Sequence, residues 1–269
     1  MALKDITLGQ YFPGSSPIHK MDPRSKILFT VLYIIALFTA RGLLAYAVMI
    51  AALGICVAVS KVRFQSLIRG MKPVMIIIII TAILNIFYTP GEPIWQWGFL
   101  KITAEGIWAA IYMVLRITLL INCTFLLTYT TSPIMLTDGL EKLLGPLKKI
   151  RVPVHELAMM MSIALRFIPT LIEETDKIMS AQKARGADFD SGNLFQKAKA
   201  LVPLLVPLFI SAFRRADELA VAMECRCYHG GEGRTRMRQL KFEGRDFTAL
   251  LFGAALVLLA VLCRQLWPA

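Results

Sequence analysis

Five long apolar runs constrain the fold of this chain more than any other feature of its sequence. They cover approximately residues 27–40, 43–60, 74–88, 106–131 and 247–266. A helix crosses a bilayer with roughly 17–25 apolar residues, because it rises about 1.5 Å per residue. Hydrophobic residues make up 57% of the chain, more than a soluble core requires. We therefore expect an all-α polytopic membrane protein with about five transmembrane helices and long cytoplasmic helices.

Breaks between the apolar runs indicate where the chain turns. Arg41-Gly42 divides the first two runs, and because a single helix over 27–60 would be far too long for a bilayer, we expect a helical hairpin there. Residues 89–100 combine turn-forming prolines and a glycine with two tryptophans, which is typical of a loop at a membrane–water interface. This loop connects the third and fourth spans.

The basic residues are distributed unevenly around these runs. With the N-terminus in the cytoplasm, the cytoplasmic pieces 1–26, 61–73 and 132–246 hold 26 of the 30 lysines and arginines. Because positively charged loops stay in the cytoplasm, five crossings predict a cytoplasmic N-terminus and an extracellular C-terminus. The net charge of +12 then reflects topology and contact with the lipid bilayer, so we expect no nucleic-acid partner.

The segment 132–246 is too polar for repeated crossings, yet it shows helical periodicity. It holds 18 basic and 14 acidic residues. The first predicted helix begins at Ser132-Pro133, an N-cap followed by a proline at the first helical position. The second runs from Pro153 to Arg185-Gly186, and the third from about 194 to 223. We therefore predict three amphipathic cytoplasmic helices, with an arginine at the end of each of the two longest.

The ends of these two helices have the composition of a docking site. Each arginine stands between small residues, in Ala184-Arg185-Gly186 and in Cys225-Arg226-Cys227. A cation followed by glycine has a purely structural explanation, since both stabilise a helix C-terminus. That explanation does not account for the small residues on either side of each arginine. Small neighbours would let the arginine side chain enter a groove, where its planar guanidinium binds carboxylates and carbonyls. Docking on an acidic partner surface is therefore the sharper hypothesis.

Several motifs resemble one known family. They are Ser16-Pro17-Ile18-His19-Lys20-Met21-Asp22-Pro23-Arg24, Thr131-Ser132-Pro133, Arg166-Phe167-Ile168-Pro169-Thr170, Gln182-Lys183-Ala184-Arg185-Gly186-Ala187-Asp188 and Phe213-Arg214-Arg215-Ala216-Asp217-Glu218. On these motifs, which are spread over nearly the whole chain, it resembles the T component of energy-coupling factor transporters, the CbiQ-like family with paired Ala-Arg-Gly-type motifs on its coupling helices. Cys225 and Cys227 stand where that family usually has Ala and Gly.

The resemblance implies a role and a set of partners. It implies a membrane scaffold that docks on two cytosolic ATP-binding-cassette ATPase subunits and holds a substrate-binding membrane S component, for import of vitamins or other micronutrients. ATP and magnesium would then be bound by the ATPases, and we expect no cofactor or metal on this chain. The ATPase-docking residues implied are Ala184, Arg185, Gly186, Cys225, Arg226 and Cys227, with one arginine directed toward each ATPase.

The run 201–213 is the predicted contact for the S component. It is too short to span a bilayer and contains two prolines, which suits a helix at the interface or against another membrane subunit. The residues predicted for this contact are Leu201, Pro203, Leu204, Leu205, Pro207 and Leu208.

Other classes of protein fit the sequence less well. The chain has no Gly-x-x-x-x-Gly-Lys-Ser/Thr phosphate loop and only three scattered histidines, so we do not expect an enzyme. A secondary transporter would require internal repeats, which we do not find. Arg116 lies within the fourth predicted span, where an unpaired charge is costly, so it should face protein or water.

The predicted organisation follows from these points. Residues 1–131 form an N-terminal membrane region with four spans, 132–246 form the cytoplasmic coupling region, and 247–269 form a C-terminal transmembrane helix. The expected location is the plasma membrane of a bacterial cell.

Overall fold

The structure, a computed structural model, describes residues 11–91, 93–97, 100–187, 189, 194–231 and 239–266. Within these ranges the regular secondary structure is helical apart from one β-hairpin, and turns and short irregular segments connect the elements. In chain order the elements are α1 (Pro23–Thr39), α2 (Gly42–Ser60), α3 (Phe64–Tyr88), β1 (Pro93–Trp97), β2 (Leu100–Thr103), α4 (Ala104–Thr130), α5 (Pro133–Leu143), a 3-10 helix (Gly145–Ile150), α6 (Val154–Ala184), α7 (Leu194–Glu224) and α8 (Gly244–Leu266).

Five helices among the described residues are long and apolar enough to cross a membrane, namely α2, α3, α4, α6 and α8. The predicted fold class, an all-α polytopic membrane protein with about five such helices, is confirmed. Four of the five are predicted spans. The remaining predicted span corresponds to α1, which has only 17 residues, whereas α6 is predicted to be cytoplasmic and carries seven charged residues.

The described residues divide into two compact units. The membrane unit consists of Gly9–Gly139 and Leu240–Ala269, and the coupling unit includes Leu140–Gln239. In the membrane unit, α1 packs on α4 and α8, α2 packs on the same two helices, and α3 packs on α4. The predicted domain boundaries at 131/132 and 246/247 stay a prediction.

The core of the membrane unit lies where α1, α2, α4 and α8 meet. Large side chains such as Tyr33, Leu37, Tyr46 and Met49 are almost completely buried there, and the Tyr33 hydroxyl donates a 3.0 Å hydrogen bond to the Met49 carbonyl. α3 is different, because only Leu67 and Ile78 are buried along its 25 residues. Its remaining apolar surface is the kind that lipid solvates and water does not.

Arg116 has protein partners, as its position within α4 requires. Its Nε donates a 3.1 Å hydrogen bond to the Tyr46 hydroxyl, and its guanidinium carbon lies 5.7 Å from the centre of the Phe38 ring. Tyr46 in turn stacks on Tyr112. The charge therefore faces aromatic rings of the protein, which offer it a polar edge and a π face.

Two turns show how the sequence sets the helix boundaries. α1 and α2 are separate helices, as expected, and Gly42 has a φ of +79° that favours glycine. The expected loop over 89–100 is wrong in its local structure, because β1 and β2 pair as an antiparallel hairpin with Trp97 opposite Leu100. Tryptophan and isoleucine favour strands, and a proline is tolerated at the first strand position, as Pro93 is here.

Asp22, Arg24, Lys26 and Asp246 form a cluster at the start of α1 and α8, here called the anchor network. Arg24 Nη2 lies 2.8 Å from Asp22 Oδ2. The Asp246 carboxylate accepts hydrogen bonds from the backbone N–H groups of Asp22 and Glu243, each at 2.8 Å. Because Asp246 is 1% exposed, its charge is stabilised by these partners and not by water.

Lys26 extends the anchor network to the end of α4. Its ammonium donates hydrogen bonds to the Thr130 carbonyl at 2.9 Å, to the Thr131 hydroxyl at 3.2 Å and to the His19 carbonyl at 3.2 Å. α4 ends at Thr130, and α8 begins at Gly244. The anchor network therefore links the starts of α1 and α8 to the end of α4 within the membrane unit.

His19 holds the segment before α1 in a turn. Its Nδ1 lies 2.6 Å from the Ser16 hydroxyl and its Nε2 lies 3.1 Å from the Phe12 carbonyl. Burial lowers the pKa of His19, and the charge of Lys26 acts in the same direction, against the effect of the Phe12 carbonyl. A neutral ring at pH 7 donates from Nε2 to the carbonyl and accepts at Nδ1 from the hydroxyl.

Replacing Asp246 tests the anchor network. Asp246→Ala leaves the N–H groups of Asp22 and Glu243 without their acceptor, so we expect the free energy of unfolding to fall by about 3 kcal/mol. Asp246→Asn keeps one acceptor oxygen and should lose less. The measurement is thermal unfolding of the purified chain in detergent, followed by tryptophan fluorescence. Arg245→Gln, which removes a solvent-exposed ion pair with Glu243, serves as the control and should change little. Equal midpoints for Asp246→Ala and Arg245→Gln would contradict this role.

Candidate functional site

α6 and α7 form an antiparallel pair inside the coupling unit. Near one end, Gln182 Nε2 of α6 donates to the Pro203 carbonyl of α7 at 3.4 Å. Further along, Glu174 of α6 accepts hydrogen bonds from the Ser211 hydroxyl and, at 2.9 Å, from Arg215 Nη2 of α7. As the residue number along α6 decreases from 182 to 174, the residue number of its partner in α7 increases from 203 to 215. This order defines the antiparallel arrangement.

The contact at Pro203 follows from the prolines of α7. In a regular helix the Pro203 carbonyl would accept the N–H of residue 207, but Pro207 has no N–H. The freed carbonyl receives the Gln182 amide group instead. Pro207 weakens α7 as an isolated helix, but it frees a carbonyl that accepts a hydrogen bond from α6.

Both predicted arginines occupy the same position in the same type of helix cap. At the end of α6, the Gly186 N–H bonds to the Lys183 carbonyl and the Ala187 N–H to the Gln182 carbonyl, each at 3.0 Å. At the end of α7, the equivalent bonds run from the Cys227 N–H to the Glu224 carbonyl at 2.8 Å and from the Tyr228 N–H to the Met223 carbonyl at 3.0 Å. These pairs of bonds define a Schellman cap, with Arg185 and Arg226 as the C-cap residues.

The residue after each arginine has a left-handed conformation. Gly186 has a φ of +87° and Cys227 has a φ of +54°. The backbone at Cys227 thus takes the conformation that suits glycine, although a side chain there costs about 1 kcal/mol or more. Cysteine at position 227 therefore keeps the cap and adds strain to it.

The two caps lie at opposite ends of the α6–α7 pair. The Tyr228 hydroxyl, two residues beyond Arg226, lies 2.9 Å from the sulfur of Met159 in the first turns of α6. Arg185 lies at the other end of α6, 26 residues beyond Met159. At about 1.5 Å per residue this separation is roughly 40 Å.

All six residues of the two motifs are exposed. Among the residues that the structure describes, neither Arg185 nor Arg226 has an acidic partner. A Cβ added at Gly186 would meet no atom within 4 Å. Each guanidinium therefore projects from an open helix end, where an outside groove can surround it without displacing other side chains.

The residues predicted for S-component contact divide between two faces of α7. Leu201, Pro203 and Leu205 are exposed, Pro207 and Leu208 are half-buried, and Leu204 is buried at 5% exposure. The predicted run 201–213 also contains a larger exposed apolar stripe, beyond the six residues named individually. Its three- and four-residue spacing was the available signal, and its members are Val202, Val206, Phe209, Ile210 and Phe213.

No group of three metal-binding side chains is found in the described ranges. Cys225, Cys227 and His229 follow one another closely in sequence, but the His229 ring bonds to the Cys227 carbonyl at 2.9 Å. The described motif is therefore a helix cap with two exposed thiols.

Comparison with known proteins finds matches over almost the whole chain. The family model described as cobalt transport protein, CbiQ, matches residues 14–237. The chain is 59% identical over 267 residues to the energy-coupling factor transporter transmembrane protein EcfT of Clostridium kluyveri, covering 98% of this chain and 99% of that protein. It is 49% identical over 262 residues to the protein of the same description in Bacillus subtilis, covering 97% of each.

The chain belongs to this family of energy-coupling factor transporter transmembrane components. The resemblance read from the motifs is thereby confirmed, and the chain is a multi-pass membrane component of a transporter. The match covers both capped motifs and the segment that begins the anchor network.

The strain at Cys227 leads to a prediction of opposite effects at the two caps. Cys227→Gly relieves the left-handed strain, so we expect about fivefold slower hydrogen exchange at the Cys227 and Tyr228 amides. Gly186→Ala adds strain and should speed exchange at the Gly186 and Ala187 amides by a similar factor. Exchange would be measured by mass spectrometry on the purified chain.

A matched variant separates strain from helix propensity. Cys225→Gly introduces the same residue one position before Arg226, within the last helical turn, where glycine weakens the helix. Hydrogen exchange at the Cys227 and Tyr228 amides should therefore be faster in this variant than in the wild type. Slower exchange in both Cys225→Gly and Cys227→Gly, or no change in Cys227→Gly, would contradict the assignment of strain to Cys227.

Proposed function

We propose that this chain couples ATP-driven motion of two cytosolic ATPases to a substrate-binding S component in an importer of vitamins or other micronutrients. The observation that supports this proposal most is the pair of identical arginine caps at opposite ends of α6 and α7. Two equivalent, exposed and well-separated sites suit two similar partner subunits. A single partner would have to reach both ends.

The chemistry of the caps suits insertion into a groove. A guanidinium has five N–H donors in a rigid plane and stays charged, so it binds carboxylates or carbonyls of a partner with defined geometry. The Schellman cap uses the C-terminal carbonyls of each helix, which leaves the arginine side chain available. We propose that Arg185 docks on one ATPase and Arg226 on the other.

The ATPases supply the chemistry and this chain transmits the motion. ATP and magnesium are bound by the partner subunits, and this chain is non-catalytic and binds no cofactor. When ATP brings the two ATPases together, the two caps are drawn toward each other. The α6–α7 pair, held by the Glu174 and Gln182 contacts, passes that displacement to the S component.

The proposed topology has α1, α2, α3, α4 and α8 crossing the plasma membrane, with a cytoplasmic N-terminus and an extracellular C-terminus. α1 supports this assignment because its buried residues join the core of the membrane unit and its outer residues, such as Ile35 and Phe38, are apolar and exposed. α6 stays in the cytoplasm, since charged residues such as Glu174 and Lys177 occupy its second half.

We propose the exposed apolar stripe of α7 as the S-component contact. Phe209 and Phe213 are 61% and 69% exposed, and large aromatic side chains contribute strongly to interface affinity. Leu201 and Leu205, from the set predicted by sequence, lie exposed on the same helix. Leu204 instead packs within the coupling unit and would support the contact from behind.

Charge reversal at the two caps tests ATPase docking. Arg185→Glu and Arg226→Glu should each weaken co-purification of the ATPases by more than about tenfold, because each removes a charge-assisted contact and introduces repulsion. The double variant should lose both ATPases and substrate uptake. Lys177→Glu on α6 and Arg214→Glu on α7 reverse exposed charges away from the helix ends and serve as matched controls. An Arg185→Glu, Arg226→Glu double variant that still binds ATPases and transports would overturn the proposed docking.

Truncating the apolar stripe of α7 should separate the two kinds of partner. We expect Phe209→Ala with Phe213→Ala to lower S-component recovery by more than about tenfold while ATPase recovery stays unchanged. Ile76→Ala with Ile80→Ala removes exposed apolar side chains of α3 and is the control. The measurement is affinity purification from membranes with each subunit quantified. Full S-component recovery with the truncated stripe would contradict the assignment of the S-component contact to α7.

A further inference from the structure

A polar cleft lies in the membrane unit beside the turn between α2 and α3. Its volume is about 630 Å³, and its walls are the segment 12–16 with His19 on one side and 60–63 with Ser66 and Arg69 on the other. The cleft is separate from the helix caps, which belong to the coupling unit. The proposed ATPase and S-component contacts do not use it.

The charge of the cleft has one sign. Lys61, Arg63 and Arg69 line it, and no aspartate or glutamate is among its described lining residues. Within the described part of the chain, none of these three cations forms an ion pair. Three cations within one concave site attract an anion more strongly than the same charges spread over a convex surface.

Lys61 occupies a strained position at the cleft. As the C-cap of α2 it has a φ of +57°, where glycine would avoid a cost of about 1 kcal/mol. The lysine places a cation at the cleft that glycine would remove.

Neutral hydrogen-bond donors complete the lining. Ser15 and Ser66 line the cleft, and Ser66 lies in the first turn of α3. Arg63 is the N-cap residue of α3, and its carbonyl accepts the Ser66 N–H at 2.9 Å, which leaves the Ser66 hydroxyl as the donor of that residue to an anion. On the opposite wall, Gly14 allows the close approach of the His19 ring, because a Cβ there would lie 2.9 Å from that ring.

We propose that this cleft binds a phosphate group, specifically the headgroup phosphate of an anionic phospholipid. Cations, hydroxyls and backbone N–H groups are the donors that phosphate oxygens use. The lipid source is favoured by position, because the cleft lies directly at the ends of the apolar helices α2 and α3, where headgroups lie. Anionic lipids of the cytoplasmic leaflet attract basic residues at this depth.

Lipid titration of the full-length chain tests this site. The delipidated protein in neutral detergent would be titrated with phosphatidylglycerol and with phosphatidylcholine, and bound lipid counted by native mass spectrometry. We expect the wild type to prefer phosphatidylglycerol by about tenfold or more, since each basic residue contributes about fivefold. Lys61→Gln with Arg63→Gln and Arg69→Gln should reduce that preference to nearly one.

The matched control removes three exposed cations elsewhere. Lys148→Gln with Lys149→Gln and Arg151→Gln leaves the cleft intact, and Arg151, like Lys61, is a left-handed helix C-cap. This control should keep the wild-type preference. Equal loss of preference in both triple variants, or an unchanged preference in the cleft variant, would overturn the site.

Glycerol phosphate distinguishes a lipid from a soluble source. We expect millimolar glycerol phosphate to leave bound phosphatidylglycerol in place, because it lacks acyl chains that insert in the micelle. Displacement of the lipid from the wild type would overturn the lipid assignment and point to a soluble phosphate. Because the readout is lipid binding, its outcome is independent of ATPase docking and uptake.

Discussion

Burial of opposite charges in the anchor network is the interaction on which the rest of the structure depends. Asp246 and Lys26 are almost completely buried, and a buried charge is tolerated only when partners replace the water it loses. Their partners include backbone groups at the start of α1 and at the end of α4. The buried charges therefore hold the starts of α1 and α8 and the end of α4 together within the membrane unit.

The coupling unit holds two exposed arginines, Arg185 and Arg226, at opposite ends of the α6–α7 pair. Neither α6 nor α7 is an ideal helix, since Pro169, Pro203 and Pro207 interrupt their backbone hydrogen bonds. Contacts between the helices compensate, and the Gln182 bond to the Pro203 carbonyl is the clearest example. Two interrupted helices that support each other keep their ends separated while the caps remain open to partners.

Much of this arrangement could be predicted from sequence because it depends on local rules. The lengths of the apolar runs predicted the four helices α2, α3, α4 and α8, which are apolar enough to cross a membrane. The arginine motifs predicted the ends of α6 and α7 to within one residue. The hairpin of Pro93–Trp97 and Leu100–Thr103 was missed because turn formers and strand formers are mixed there. The anchor network could not be predicted, since Asp22 and Asp246 are 224 residues apart in sequence. The left-handed Cys227 was also beyond sequence rules, because only the cap geometry shows that a side chain tolerates this position.

Site-specific photo-cross-linking in intact membranes tests the central claim most directly, since it leaves both arginines in place. A benzophenone amino acid would replace Ala184 in one variant and Cys225 in the other, each adjacent to its arginine, with exposed Lys177 as the reference position. We expect both cap positions to form cross-links to ATPase subunits and position 177 to form few. Cross-links from both caps only to lipid or to the S component would contradict the claim that these helix ends are the docking points.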